Sequence, residues 1–153
     1  MPKAWRITKE KYAAKAFDGE VARLQEGRWS RIGTRIIYTA GSQPLAILEI
    51  LVHLQQTEVL SSYVVFEVTF PEKFVETLGP GSLPKNWRTS PAPPVTLAIG
   101  DDWIRRSSSA VLRVPSVIVP SEYNFLINPA HSDFGGITIG DAKPLDVDSR
   151  LLK

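Results

Sequence analysis

The chain has 153 residues, 43% hydrophobic and 22% charged, which fits one globular domain spanning residues 1–153. It has no cysteine and only two histidines, so disulfides, thiolate nucleophiles, iron–sulfur clusters and thiolate or histidine-rich metal centres are excluded. The net charge of +2 is unevenly spread: residues 1–35 hold nine basic and four acidic side chains, a balance that suits either an anion site or a solvated basic face.

No apolar run approaches the roughly 20 residues of a membrane helix. Met1-Pro2-Lys3-Ala4-Trp5-Arg6 lacks the apolar core of a signal peptide. A soluble, cytoplasmic protein is therefore expected. In chain order, Trp5-Arg6-Ile7 reads as a short extended segment. Lys9 to Phe17 reads as a short helix capped by Thr8. Gly19 and Gly27 break the chain around a second short segment. Arg35 to Thr39 is β-branched and aromatic and reads as a strand.

Ser42 is placed to cap the strongest predicted helix, Gln43 to Gln55, with Pro44 tolerated in its first turn. Its near-continuous apolar surface predicts burial. Tyr63 to Phe70 alternates as a strand, with Val64, Phe66, Val68 and Phe70 on one face. Gly79 to Pro94 is a Pro- and Gly-rich loop or lid, and Pro94 to Arg106 an amphipathic helix. Ala110 to Val119 reads as a strand bent or ended by Pro115 and Pro120. Asn124 and Asn128 have the character of turn residues. Ile137 to Ile139 and Leu145 to Val147 are candidate final strands. Helices and strands mix without a βαβ repeat, so the expected class is α+β with a mixed or split central sheet flanked by short helices.

The common nucleotide signatures are missing: there is neither a P-loop nor a G-x-G-x-x-G. His131-Ser132-Asp133 has the residue types of a hydrolase triad. Triad members converge from separate elements, however, so this run reads as a turn. Glu49 is more informative, because it interrupts an apolar helix, with His53 one turn later on the same face. Three readings fit: a solvated stripe, a partner for a buried arginine, or a catalytic carboxylate in a pocket. Arg28 lies between Gly27 and Gly33 in Gly27-Arg28-Trp29-Ser30-Arg31-Ile32-Gly33, and arginine is the side chain best shaped for phosphate. Tyr38 closes the strand ahead of Glu49. Ser116, after a proline, reads as a sheet serine bonded to backbone.

Several stretches recur together. They are Trp5-Arg6-Ile7, Gly27-Arg28-Trp29 with Gly33, Tyr38, and Ala46-Ile47-Leu48-Glu49-Ile50-Leu51-Val52-His53. Pro84 with Trp87, Gly100-Asp101-Asp102-Trp103 and Val114-Pro115-Ser116 follow. The last are Asn124-Phe125-Leu126-Ile127-Asn128-Pro129, His131 and Asp148-Ser149-Arg150-Leu151. In this order the set resembles the RES domain family, toxins of Xre–RES toxin–antitoxin pairs, named for arginine, glutamate and serine. The family pattern has two glycines before the arginine and asparagine after the tryptophan. Here those places hold Glu26-Gly27 and Ser30.

The resemblance implies an ADP-ribosyltransferase-like fold and an enzyme that consumes NAD+ as substrate, without a metal. It also implies an Xre-type helix-turn-helix antitoxin that blocks the site, in a dimer or larger complex, with no direct contact to nucleic acid or membrane. By the same resemblance Arg28 and Arg6 clamp the phosphates and Tyr38 stacks on nicotinamide or ribose. Glu49 stabilises the oxocarbenium-like state or holds a ribose hydroxyl, and His53 orients Glu49 or merely packs. Ser116 and Asn124 orient the ribose or shape the pocket. Water, phosphate or a protein side chain as acceptor distinguishes NAD glycohydrolase, NAD phosphorylase and mono-ADP-ribosyltransferase. A non-enzymatic nucleic-acid-binding domain, stacking bases on Trp5 and Trp29, is the alternative from another class.

Overall fold

The computed structural model describes residues 1–54 and 62–152. Eight strands form one mixed sheet: β1 (Lys3–Lys9), β2 (Ile37–Ala40), β3 (Tyr63–Thr69), β4 (Val75–Thr77), β5 (Val111–Pro115), β6 (Tyr123–Ile127), β7 (Thr138–Ile139) and β8 (Lys143–Pro144). The spatial order is β4-β5-β6-β2-β1-β3-β7, with β8 also paired to β3. Among the described residues only β4 and β5 pair in parallel. Among the described residues three α-helices accompany the sheet: α1 (Glu20–Leu24), α2 (Gln43–His53) and α3 (Pro94–Arg106).

The sheet is nearly split at its centre. β1 and β3 pair over seven positions, and β2 and β6 over four, but β1 and β2 share only Trp5↔Ala40. Beyond that pair the two strands part. Arg6 spans the gap, donating from Nη1 to the carbonyl of Tyr38 at 2.9 Å and from Nε to that of Ala16 at 2.6 Å.

The predicted α+β class holds, and α3 has the predicted bounds. Ser42 caps α2 as expected, its Oγ accepting from the amide of Leu45. The expected end at Gln55 lies outside the described residues. Other expectations need correction. Lys9 to Phe17 is not an α-helix capped by Thr8: β1 runs through Thr8 to Lys9, and a 3-10 segment follows at Glu10–Lys15. The carbonyl of Ala16, at the end of that segment, is taken by Arg6. Nor is α2 buried all round. Leu45 and Ala46 are buried on its inner face, whereas Leu48 and Val52 are 42% and 62% exposed.

β3 is not one-faced. Val64, Phe66, Val68 and Phe70 are buried as predicted, but Tyr63 and Val65, which point the other way, are buried as well, against α2 residues such as Leu45. The strand predicted at Ala110 stops at Pro115, whose ring cannot supply a ladder donor further along. Asn124 is a strand residue, not a turn residue. It lies in β6 opposite Ala40 on one side and Val114 on the other, while Asn128 falls just past the strand end. Of the final strands, β7 falls within the predicted Ile137 to Ile139, whereas Leu145 to Val147 is not a strand and β8 ends just before it.

Candidate active site

Where β1 and β2 separate, a cavity of about 320 Å³ opens. Arg6, Arg28, Tyr38, Glu49, His53 and Asn124 all line it. Those six residues come from β1, a loop, β2, α2 and β6, so the fold brings together what the sequence scatters. Ser116 is the predicted site residue that does not line the cavity. It is fully buried one layer behind.

Glu49 owes its place to helix phase. It follows Leu45 by four residues and Ala46 by three, so it continues the buried stripe of α2 toward the sheet. Burial raises its pKa above the ordinary carboxylate range. Three neighbours offset part of that rise: the Asn124 amide, the Ser116 hydroxyl and the charge of His53. Ser116 donates to Glu49 Oε1 at 3.2 Å, and its Oγ accepts from the amides of Ile118 and Val119. It is therefore a bracket that ties Glu49 to the 116–119 turn rather than a contact in the cavity. The Asn124 amide also donates to the Thr39 carbonyl at 3.2 Å, which fixes its plane. His53 is exposed on the rim and makes no hydrogen bond to Glu49, so its influence there is electrostatic.

Arg28 sits in a loop fastened at several points. The amide of Gly27 donates to the Ser30 carbonyl and that of Gly33 to the Arg23 carbonyl. Tyr38 Oη accepts from the Trp29 amide at 3.2 Å and lies 2.6 Å from Ser30 Oγ. A Cβ on Gly27 would stand 2.5 Å from that phenol oxygen, which is why glycine occupies the position. On the other side α3 closes in. A Cβ on Gly100 would fall 1.8 Å from the Trp29 carbonyl oxygen, and Asp101 accepts from both the amide and the guanidinium of Arg31.

The Arg28 guanidinium uses Nη1 alone for the protein, donating to the carbonyls of Trp87 and Thr89 at 3.0 and 2.6 Å. Its Nε and Nη2 edge stays available. Burial pushes the Tyr38 phenol up to about 12, so it is a neutral hydrogen-bonding group and not a base near neutrality. Ser30, a departure from the family pattern, is completely buried and partners Tyr38.

Sequence reasoning missed the carbonyls of Trp87 and Thr89, because main-chain acceptors leave no side-chain signature. It also proposed Trp29 as a stacking surface for bases. That residue is 2% exposed, packed beside Trp87 and in one core cluster with Trp103, so it has no face to offer. His131-Ser132-Asp133 opens a 3-10 segment, Ser132–Gly136, which His131 caps by accepting from the Asp133 amide at Nδ1. Among the described residues no cluster of three His, Cys, Asp or Glu could hold a metal. No helix among them is long and apolar enough to cross a membrane.

The split mixed sheet thus brings an arginine, a tyrosine and a glutamate together at one cleft. The MbcT–MbcA toxin–antitoxin complex of M. tuberculosis shares this fold, at a TM-score of 0.76 and 18% identity, over 94% of this chain and 84% of that one. The chain belongs to the RES domain family, which it matches over residues 3–148. Toxin Res of Yersinia enterocolitica is 41% identical over 130 residues, covering 85% of this chain and 86% of that protein. Toxin Res of Photorhabdus laumondii is 39% identical over 151 residues, covering 97% and 96%. The Prs ADP-ribosylating toxin of a Sphingobium species is 37% identical over 154 residues, covering 97% and 96%.

Proposed function

We propose that this chain is the toxin of a bacterial toxin–antitoxin pair and that it consumes NAD+ by breaking the nicotinamide–ribose bond. The observation that carries this reading is the convergence of Arg28, Tyr38 and Glu49 on one cavity, with the carboxylate held by Ser116 and Asn124. At about 320 Å³ the cavity lies at the small end of ligand sites, roughly 300–1,000 Å³. It suits the nicotinamide ribose half of a dinucleotide, with the phosphates at the mouth beside Arg28.

The bond breaks with its electron pair leaving on nicotinamide, which departs neutral. Positive charge then develops on the ribose C1 and its ring oxygen, as in glycoside hydrolysis. Ionised Glu49, partly withdrawn from water, stabilises that charge more strongly than it would in solvent. The Tyr38 ring forms one wall of the cavity while its hydroxyl holds the 27–30 loop. Arg28 grips a phosphate through Nε and Nη2, and Arg6 adds fixed positive charge and keeps the cleft open. An acceptor oxygen completes the reaction at C1. Water yields ADP-ribose and releases a proton; phosphate yields the 1-phosphate ester.

Degradation by water or phosphate is the main reading. A second, transfer to a protein side chain, is favoured by the name of the Sphingobium relative. Labelled NAD+ incubated with the purified protein, with and without phosphate and with added protein acceptors, separates the three by product. Glu49→Gln is expected to lower turnover by about 10²–10³-fold in a folded protein. Wild-type turnover in that variant would remove the carboxylate from the mechanism.

The partner follows from the same reading. An Xre-type antitoxin covers the mouth, where Val21 lines the cavity at 51% exposure and Leu24 lies one turn further along α1 at 59%. Titrating the co-purified partner against NAD+ loss tests occlusion. A tight complex as active as the free protein would refute it.

A further inference from the structure

Among the described residues, six arginines lie within ion-pair distance of a carboxylate: Arg23, Arg31, Arg35, Arg105, Arg106 and Arg150. Arg6, Arg28, Arg88 and Arg113 do not. Arg113 covers the Tyr123 ring and donates to Thr77. Of the other three, two line the cavity and the third is bonded to a residue that does. Arg6 and Arg28 line it, and Arg88 is fastened to its rim, donating from Nε to the carbonyl of Val117 at 2.9 Å. Val117 is itself a lining residue.

The placement of Arg88 is tied to that of Arg28. The carbonyls flanking Arg88, those of Trp87 and Thr89, are the two that Arg28 Nη1 donates to. One three-residue segment therefore anchors Arg28 through two carbonyls and carries Arg88 between them. Arg28 retains its Nε and Nη2 edge, and Arg88, an exposed residue, uses only Nε for the protein. The rim carboxylate, Glu26, is exposed and pairs with none of the three. Like charges around one opening repel, and an anion with two charged groups relieves that repulsion at two points.

We propose that Arg88 is a substrate-binding residue that contacts the second phosphate of the dinucleotide, the one nearer the adenosine, while Arg28 contacts the first. The proposal rests on the NAD+ reading above. It makes Arg88 the residue that distinguishes a dinucleotide from a mononucleotide, because only the former reaches past the Arg28 site.

The test compares wild type, Arg88→Ala and Arg88→Lys on NAD+, with two phosphates, and on nicotinamide mononucleotide, with one. The mononucleotide serves as substrate or as competitive inhibitor. Loss of a charged hydrogen bond predicts about a tenfold lower kcat/KM for NAD+ in Arg88→Ala, carried by KM. The mononucleotide should be unaffected, and Arg88→Lys should recover part of the loss. Equal losses for both ligands would make Arg88 only a fastener of its loop to Val117 and overturn the proposal, as would no loss for either. Calorimetric titration of inorganic pyrophosphate provides an arm independent of turnover. About tenfold weaker binding in Arg88→Ala supports the second contact even if wild type leaves NAD+ intact, a result that would sink the NAD+ reading alone. Pyrophosphate affinity equal in the two proteins, or absent from both, overturns the contact.

Discussion

Gly100→Ala tests how the fold aims Arg28 without altering any side chain that lines the cavity. The added Cβ would lie 1.8 Å from the Trp29 carbonyl oxygen and 2.8 Å from its carbon. Both are backbone atoms and cannot rotate aside, so α3 and the 27–30 loop must separate by about 1 Å or more. Alanine improves helix propensity by about 1 kcal/mol. Overpacking costs about 1–3 kcal/mol. The net effect on stability is thus a loss of about 0–2 kcal/mol, or a Tm lower by no more than about 8 °C. The functional effect is larger, because Arg28 adjoins Trp29 and a misplacement of about 1 Å costs about 100-fold in rate. Thermal melting and kcat/KM on NAD+ measure the two effects. Gly135→Ala is the control, since a Cβ there meets nothing within 4 Å. A Gly100→Ala protein with wild-type Tm and kcat/KM would refute the view that α3 sets the position of the arginine.

Other outcomes follow from the same geometry. Tyr38→Phe should destabilise the protein by about 1–3 kcal/mol in denaturant titrations, because it strips a partner from the buried Ser30 hydroxyl and the Trp29 amide. Arg28→Lys should lose at least about tenfold in kcat/KM, since an ammonium cannot both hold the Trp87 and Thr89 carbonyls and present a planar fork. Asn124→Ala should move the acidic limb of the kcat/KM–pH profile upward, because it removes a group that lowers the Glu49 pKa; an unmoved limb would assign that limb to another group. Glu49 should also shape stability. A raised carboxyl pKa contributes stability that is complete below the unfolded value and lost as pH rises through the folded one. Glu49→Gln should therefore gain stability relative to wild type as pH climbs through that window and hold the gain above it, measured by melting across pH.

What the sequence discloses tracks how local each cause is. α2 begins where Ser42 can cap it and Pro44 can be tolerated, and both signals lie within three residues of each other. α3 is equally local, opened by Pro94 and amphipathic throughout. β6 escaped notice because Asn124 and Asn128-Pro129 carry turn chemistry, and only pairing on both sides, with β2 and β5, makes that segment a strand. The Lys9–Phe17 segment failed for a similar reason. Seven pairs with β3 hold the chain extended through Lys9, against its helical propensity. For the site, the residue types of Arg28, Tyr38 and Glu49 were legible. That Ser116 braces Glu49 from behind, and that Arg28 is shared with the 87–89 carbonyls, depends on contacts 59 to 67 residues apart in the chain.

The fastening of the 27–30 loop also governs which hydrogens this protein keeps. The amides of Gly27, Trp29 and Gly33 are each bonded inside the loop or to its immediate supports. Their exchange with deuterated solvent should therefore be slow before any substrate arrives. A loop already rigid in the empty enzyme has little ordering entropy left to lose on binding. Protection at these amides should then change little when NAD+ is added, and substrate affinity should depend weakly on loop order. A ligand that inserts between Trp29 and Tyr38 would instead have to break these bonds first, and deuterium uptake at Trp29 would reveal it.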